Sequence, residues 1–208
     1  MKNALPIYSA IRHTTAGVFL RAVQSSLAVL LVSLVLLSPV SYGQGSDSFT
    51  PVTDAMLQNP SPDDWLMWRR TLDSWGYSPL TEVNRDNVDQ LRMVWTRDLA
   101  VGTDEITPLA YDGVLYVPQA NDVIEAIDAV SGDLIWEYRR DLPEDVRQYI
   151  GPHGSNNRNL SIYDNLIIDS SAEGFVYALD AQTGETVWET QVSDYKVNTG
   201  THSSGPII

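Results

Sequence analysis

"AIDAVSGDLIW", Ala126 to Trp136, and "ALDAQTGETVW", Ala178 to Trp188, are two copies of one segment set 52 residues apart. The offset holds without a gap from "YDG" at Tyr111 and "YDN" at Tyr163 onward to Glu137 and Glu189, so the repeat units are 111–137 and 163–189. Self-similarity at a period of roughly 40 to 50 residues is the sequence signature of stacked repeat architectures. With short apolar strands and a Trp closing each unit, it predicts a β-propeller or a similar array.

Each copy has a physical logic. "GVLYV" (Gly113 to Val117) and "NLIID" (Asn165 to Asp169) are apolar, β-rich runs approached through Asp-Gly or Asp-Asn, which reads as a turn feeding a strand. A second strand follows in "DVIEAIDA" and "GFVYALDA". Ser131-Gly132 and Thr183-Gly184 then supply a tight turn in which Gly takes positive φ. Asp128 and Asp180, just before it, are expected to accept hydrogen bonds from the turn's own backbone. The third strand, "DLIWEY" or "ETVWET", carries Trp136 or Trp188, a ring large enough to stack between neighbouring sheets. These Asp, Gly and Trp residues are therefore structural rather than catalytic.

The pattern Ala-x-Asp-Ala-x-[Ser/Thr]-Gly-x-x-x-Trp resembles the tryptophan-docking repeat of the quinoprotein alcohol dehydrogenases, which bind pyrroloquinoline quinone (PQQ). "WGYSPLTEVNRDNVDQLRMVW", Trp75 to Trp95, is similar to the N-terminal approach segment of those enzymes, and the resemblance runs from about Trp65 to Ile208. It implies an all-β fold: a β-propeller with tryptophan-docking, PQQ-type repeats, here partial, with about the first two of an expected eight blades. "SSGPII", Ser203 to Ile208, matches "ITPLAY", Ile106 to Tyr111, as a strand opening a further blade.

The resemblance also implies site residues. In the family a Glu before "Thr-Pro-Leu" contacts the quinone, and "DEITPLAYDGVLYV" puts Glu105 there; without the resemblance Glu105 is an exposed loop acid. A carboxylate beside an anionic quinone requires hydrogen bonding or a nearby cation. "SNNRNLSIYDN", Ser155 to Asn165, resembles the family's Asn-Arg-Gly segment and places Arg158 against the cofactor, where a guanidinium fork suits carboxylates and carbonyl oxygens. Otherwise Arg158 belongs to a surface ion pair. Asn159 replaces the usual Gly, and Pro152-His153 stand where many members carry two adjacent Cys residues. His153 is either a stacking group on the cofactor or an ordinary loop residue. "THSSGPII" resembles a stretch whose hydroxyl reaches a PQQ carboxylate, with Ser203 in that position and Thr201 and Ser204 as competitors.

No catalytic residue and no metal ligand is expected within this chain. The family's calcium ligands and catalytic Asp lie in later blades, and Glu173 in "SSAEGF" matches a turn acid rather than a ligand. The expected cofactors are PQQ and calcium, and the expected activity is oxidation of an alcohol by hydride transfer to the quinone, with a cytochrome or quinone as electron acceptor. The alternative is a non-catalytic PQQ-like propeller that scaffolds extracytoplasmic partners.

Residues 1–43 read as a secretory signal or an N-terminal membrane anchor. Lys2, Arg12 and Arg21 precede the continuous apolar stretch "SSLAVLLVSLVLLSPV", and "SYG" at Ser41 to Gly43 offers small residues for cleavage. The globular part is thus expected to be periplasmic or otherwise extracytoplasmic. Residues 44–64, rich in Ser, Pro, Asp and Thr, read as a linker or leader, and 65–208 as the N-terminal part of the propeller. "DDWLMWRR" predicts a short helix or turn, "VNRDNVDQL" a helix capped by Asn84 or Asn87, and "RMVWTRDL" the first strand.

A formal net charge of −14 argues against nucleic acid, whose phosphates require Lys and Arg. It suits a soluble extracytoplasmic protein or a basic electron-transfer partner. The chain has no Cys, so stability comes from packing and sheet pairing, and this weighs against a lipid-anchored protein with a Cys at its mature N-terminus.

Overall fold

Each repeat folds as an antiparallel four-stranded meander. The computed structural model describes residues 49–102, 105–151, 157–198 and 205–206. In the first blade β1 (Leu109–Tyr111), β2 (Val114–Gln119), β3 (Val123–Asp128) and β4 (Leu134–Arg139) are hydrogen-bonded in sequence order. In the second, β5 (Ser161–Tyr163), β6 (Leu166–Ser170), β7 (Phe175–Asp180) and β8 (Thr186–Gln191) repeat that order. The internal symmetry extends to irregularities: the register shifts between Ala126 and Ile127 in one blade and between Ala178 and Leu179 in the other.

The turns form for the reasons the sequence suggests. Asp128 Oδ1 accepts from the backbone N–H groups of Val130 (2.9 Å) and Ser131 (2.7 Å), and Asp180 Oδ1 does so from Gln182 and Thr183, both at 2.9 Å. Those N–H groups hold the Asp128 carboxyl below its ordinary pKa. Gly132 and Gly184 have φ of 78° and 73°. A Cβ on Gly132 would lie 2.6 Å from the Trp95 ring, and one on Gly184 would lie 2.7 Å from the Trp136 ring.

That closeness is the packing rule of the molecule: the Trp of one unit rests on the Gly turn of the next. Trp95 Nε1 donates to the carbonyl of Ala129 at 3.2 Å, and Trp136 Nε1 donates to that of Ala181 at 2.9 Å. Tyr116 Oη also reaches the Ala181 carbonyl, at 3.2 Å. Leu109, Tyr116, Ile124, Trp136, Ile162, Ile167, Tyr177 and Leu179 are buried in one cluster spanning both sheets. Full burial of each such side chain contributes about 1.5–3 kcal/mol.

Residues before the first blade are also packed. Val52, within the segment read as a leader, exchanges two 2.8 Å backbone hydrogen bonds with Asp164. The short helix α1 (Asp54–Gln58) follows, and its Met56 and Leu57 lie against the core. Trp65 pairs with Ala110 of β1 through bonds of 2.8 and 3.0 Å, within the turns that "DDWLMWRR" predicts. The signal or anchor segment, 1–43, lies outside the described residues.

Two local expectations are corrected. "VNRDNVDQL" is not a helix beyond a single 3-10 turn at Val88–Gln90. The Asn84 N–H bonds the Asn87 side chain and the Asp86 N–H bonds the Asn84 side chain, so side chains take donors that a helix would need. "RMVWTRDL" belongs to neither sheet, because no backbone ladder forms along it among the described residues. It is held instead by Trp95 and by Arg97, whose Nε lies 2.7 Å from Glu125 Oε2. A second short helix, α2 (Val146–Ile150), lies between the blades in the chain and buries Val146 and Ile150.

Candidate functional site

The segments that open successive units lie side by side. Thr107 forms a parallel bridge with Asn159, and its N–H donates to the Arg158 carbonyl at 2.7 Å. Gly205 then donates its N–H to the Asn159 carbonyl at 2.7 Å, and Ser161 Oγ donates to the Pro206 carbonyl. Because each inner strand starts beside the last, residues just before them converge however distant they are in sequence.

Glu105 and Arg158 meet there. Arg158 donates from Nε at 2.9 Å and from Nη2 at 2.8 Å, both to Oε2 of Glu105. Their side chains are 55% and 45% exposed, in the order Glu105, Arg158. An exposed pair of this kind contributes only about 0–1 kcal/mol to stability. Chemically the pair sets a planar group of N–H donors against a carboxylate. Ser203, Thr201, Ser204 and His153 lie outside the described residues, although Gly205, two positions after Ser203, is seated against Asn159.

Behind Arg158 lies a buried polar group that the sequence analysis does not single out. Asn157 Nδ2 donates to Asp169 Oδ2 in β6, and Tyr177 Oη donates to the same oxygen at 3.1 Å. The Ser170 N–H donates to Oδ1 at 2.8 Å. Burial pushes the Asp169 carboxyl up to about 7, against the opposing pull of these three bonds. One signal was available: the 52-residue offset sets Asp169 against Val117, a carboxylate against an apolar residue.

Nearby, Asp122 accepts from the Ala172 N–H at 2.7 Å and ties the blades together. Burial, helped by Asp169 and Glu173, pushes its carboxyl up to about 8. Glu173 is engaged by Arg140, 2.5 Å from its Nε, and Arg140 also reaches Glu189 at 3.0 Å while lying over the rings of Phe175 and Tyr177. Glu173 is thus part of an interblade ion pair. Among the described residues, no group of three or more His, Cys, Asp or Glu is arranged to hold a metal ion.

A cavity of about 250 Å³ shares Asn159, Leu160 and Pro206 with this region. Its other walls include Leu57, Leu66 and Leu72. Arg69, Thr71 and Ser74 also line it, whereas neither Glu105 nor Arg158 does.

Residues 65–164 match the family described as "PQQ: Glucose/ethanol/alcohol dehydrogenase, beta-propeller domain". The dehydrogenase subunit of the alcohol dehydrogenase (quinone) of Gluconacetobacter polyoxogenes is 31% identical over 163 residues, 77% of this chain and 21% of that protein. The 1-butanol dehydrogenase (cytochrome c) of Thauera butanivorans is 34% identical over 129 residues, 58% of this chain and 18% of that protein. The solved quinohemoprotein alcohol dehydrogenase ADHIIG of Pseudomonas putida superposes with a TM-score of 0.62 at 30% identity, over 70% of this chain and 22% of that one. The chain spans about a fifth of the length of these relatives.

Proposed function

From a chain that resembles the quinoprotein alcohol dehydrogenases and holds the opening blades of a PQQ-type β-propeller, we propose that it supplies one wall of a PQQ site in an alcohol-oxidising dehydrogenase. The observation that carries this is the Glu105–Arg158 pair, assembled across 53 residues of chain at the starts of two adjacent inner strands. The donor set fits the group: PQQ carries carboxylates and adjacent carbonyl oxygens, and a guanidinium offers several N–H donors in one plane.

Arg158 would bind and orient the cofactor's oxygens, while Glu105 keeps the guanidinium turned toward them. The Ser203 hydroxyl would donate to a PQQ carboxylate. When bound, PQQ supplies a two-electron acceptor for the hydride of the alcohol carbon, and a metal ion such as calcium supplies Lewis acidity at the quinone. The base for the alcohol proton and the metal ligands are assigned to blades outside this chain. A cytochrome or quinone is the expected electron acceptor, in keeping with the relative whose name specifies cytochrome c. The apolar segment Ser25–Val40 supports an extracytoplasmic location, by export or by anchoring.

The test is a titration of the full-length gene product with PQQ in the presence of calcium, following quinone absorbance, for the wild type and Arg158→Ala. Saturable binding in the wild type, weakened at least about tenfold in Arg158→Ala, is the expected outcome, since charge-assisted bonds of this kind are worth roughly 1.5–3 kcal/mol. Absence of binding in the wild type would favour a non-catalytic scaffold, in line with Pro152-His153 standing where many members carry a Cys pair.

A further inference from the structure

The two repeats act as an internal control on one another. β2 and β6 pair with their neighbours in the same register, yet Val117 of β2 is matched in β6 by Asp169, which is fully buried. A blade of this design therefore folds with an apolar residue at that place. A carboxylate there bears a desolvation cost that the sheet does not require.

What it gains is a connection. Of the three donors to Asp169, the Ser170 N–H is its own neighbour and Tyr177 lies on the adjoining β7, whereas Asn157 comes from the segment that precedes β5. Asn157 is itself 2% exposed, and its Oδ1 is buried with no hydrogen-bond partner among the described residues, a second cost borne for the same contact. The next residue is Arg158, whose carbonyl accepts from Thr107 at 2.7 Å. The Arg158 backbone is thus fixed on one side by Asp169 through Asn157 and on the other by the strand that follows Glu105.

We propose that Asn157 and Asp169, with Tyr177 behind them, are positioning residues that aim Arg158 into the ligand site. This rests on the assignment of Arg158 to PQQ binding and adds the element that orients it. Buried polar groups hydrogen-bonded behind a binding side chain commonly support affinity without touching the ligand.

The test uses the full-length gene product and three variants. Asp169→Val installs the residue of the first repeat, Asp169→Asn keeps an acceptor for Asn157, and Asn157→Ala removes the donor without altering β6. PQQ affinity is measured by absorbance titration with calcium, unfolding by thermal melting, and local order by hydrogen exchange at the Thr107 amide, whose bond to Arg158 reports the loop. Asp169→Val and Asn157→Ala are expected to weaken PQQ roughly tenfold or more and to speed exchange at Thr107. Asp169→Asn should stay within about threefold of the wild type, because its amide oxygen still accepts.

Unchanged affinity in both Asp169→Val and Asn157→Ala, alongside loss in Arg158→Ala, overturns the positioning role and leaves the site assignment standing. If the wild type binds no PQQ, the site assignment fails, and exchange at Thr107 then decides alone: faster exchange in the variants upholds the link to Arg158, and unchanged exchange overturns it.

Discussion

Arg158 reaches Glu105 through two nitrogens that converge on one carboxylate oxygen, so the planar fork, and not charge alone, defines the contact. An ammonium keeps the charge and loses the plane. Arg158→Lys is therefore expected to retain the fold, with a melting temperature within about 2 °C of the wild type because the pair is exposed. Its PQQ affinity should fall several-fold in the titration that tests Arg158→Ala. A second residue-scale consequence concerns Asp122, whose carboxyl is pushed up to about 8 by burial, with Asp169 and Glu173 adding to the shift and Arg140 opposing it. The folded state then holds a proton that the unfolded chain releases near pH 4, so stability falls as pH rises from about 4 toward about 8 and levels off above. Asp169, pushed up to about 7, adds to the same slope. Asp122→Asn keeps an acceptor for the Ala172 N–H and should flatten the slope by roughly half, measured by urea unfolding at several pH values. An unchanged slope would show that Asp122 does not control it.

At the scale of elements, the Trp-on-Gly contact joins one unit to the next, and its two described instances predict different outcomes from Trp188, which rests on no Gly turn among the described residues. Trp136 is 8% exposed, whereas Trp188, its equivalent in β8, is 39% exposed. Trp136→Ala should destabilise by about 3–5 kcal/mol through lost packing, and it also removes the bond to the Ala181 carbonyl, to which Tyr116 Oη still donates. Trp188→Ala in residues 49–208 should cost under about 1.5 kcal/mol, because its ring is only partly buried. Gly184→Ala should be as harmful as losing the ring, since φ of 73° and a contact of 2.7 Å leave no place for a Cβ. Chemical denaturation of the three variants checks the order. These contacts were legible in the sequence because turn and ring chemistry is local and occurs twice in register. The Val83–Leu91 helix was misread because the Asn84 and Asn87 side chains take N–H groups of the segment, and Asn87 also donates to the Glu82 carbonyl. The Arg92–Leu99 strand was misread because a strand exists only when a neighbouring backbone completes it. Glu105 and Arg158 could be named from a resemblance, but their mutual contact, and Asp169 behind them, depend on which inner strands lie adjacent. That property belongs to the topology.

Across the whole molecule, the acidic excess and the apolar surface act in opposite directions. Trp75 is 79% exposed and Val94 84% exposed, and Tyr77, Leu91 and Met93 of the same segment are also exposed. Large apolar side chains exposed together in one segment mark a place where other protein can pack. Trp188 and Val187 leave a second such surface on β8. With two blades covering about a fifth of the relatives' length, the described residues leave these two apolar faces exposed. The net charge of −14 for the whole chain, more negative still in residues 49–208, which lack Lys2, Arg12 and Arg21 against Asp47 alone, sets copies against each other, and that repulsion is long-ranged only at low ionic strength. Residues 49–208 alone should therefore stay dispersed at about 10 mM salt, where the screening length is roughly 30 Å, and associate at about 1 M, where it is roughly 3 Å. Sedimentation velocity across that range, with a dye that binds exposed apolar surface, measures both terms. A monomer at high salt with no dye binding would show that the two faces are covered by the chain itself. Association that salt reverses would show that charge pairing, and not the uncovered blade faces, holds the copies together.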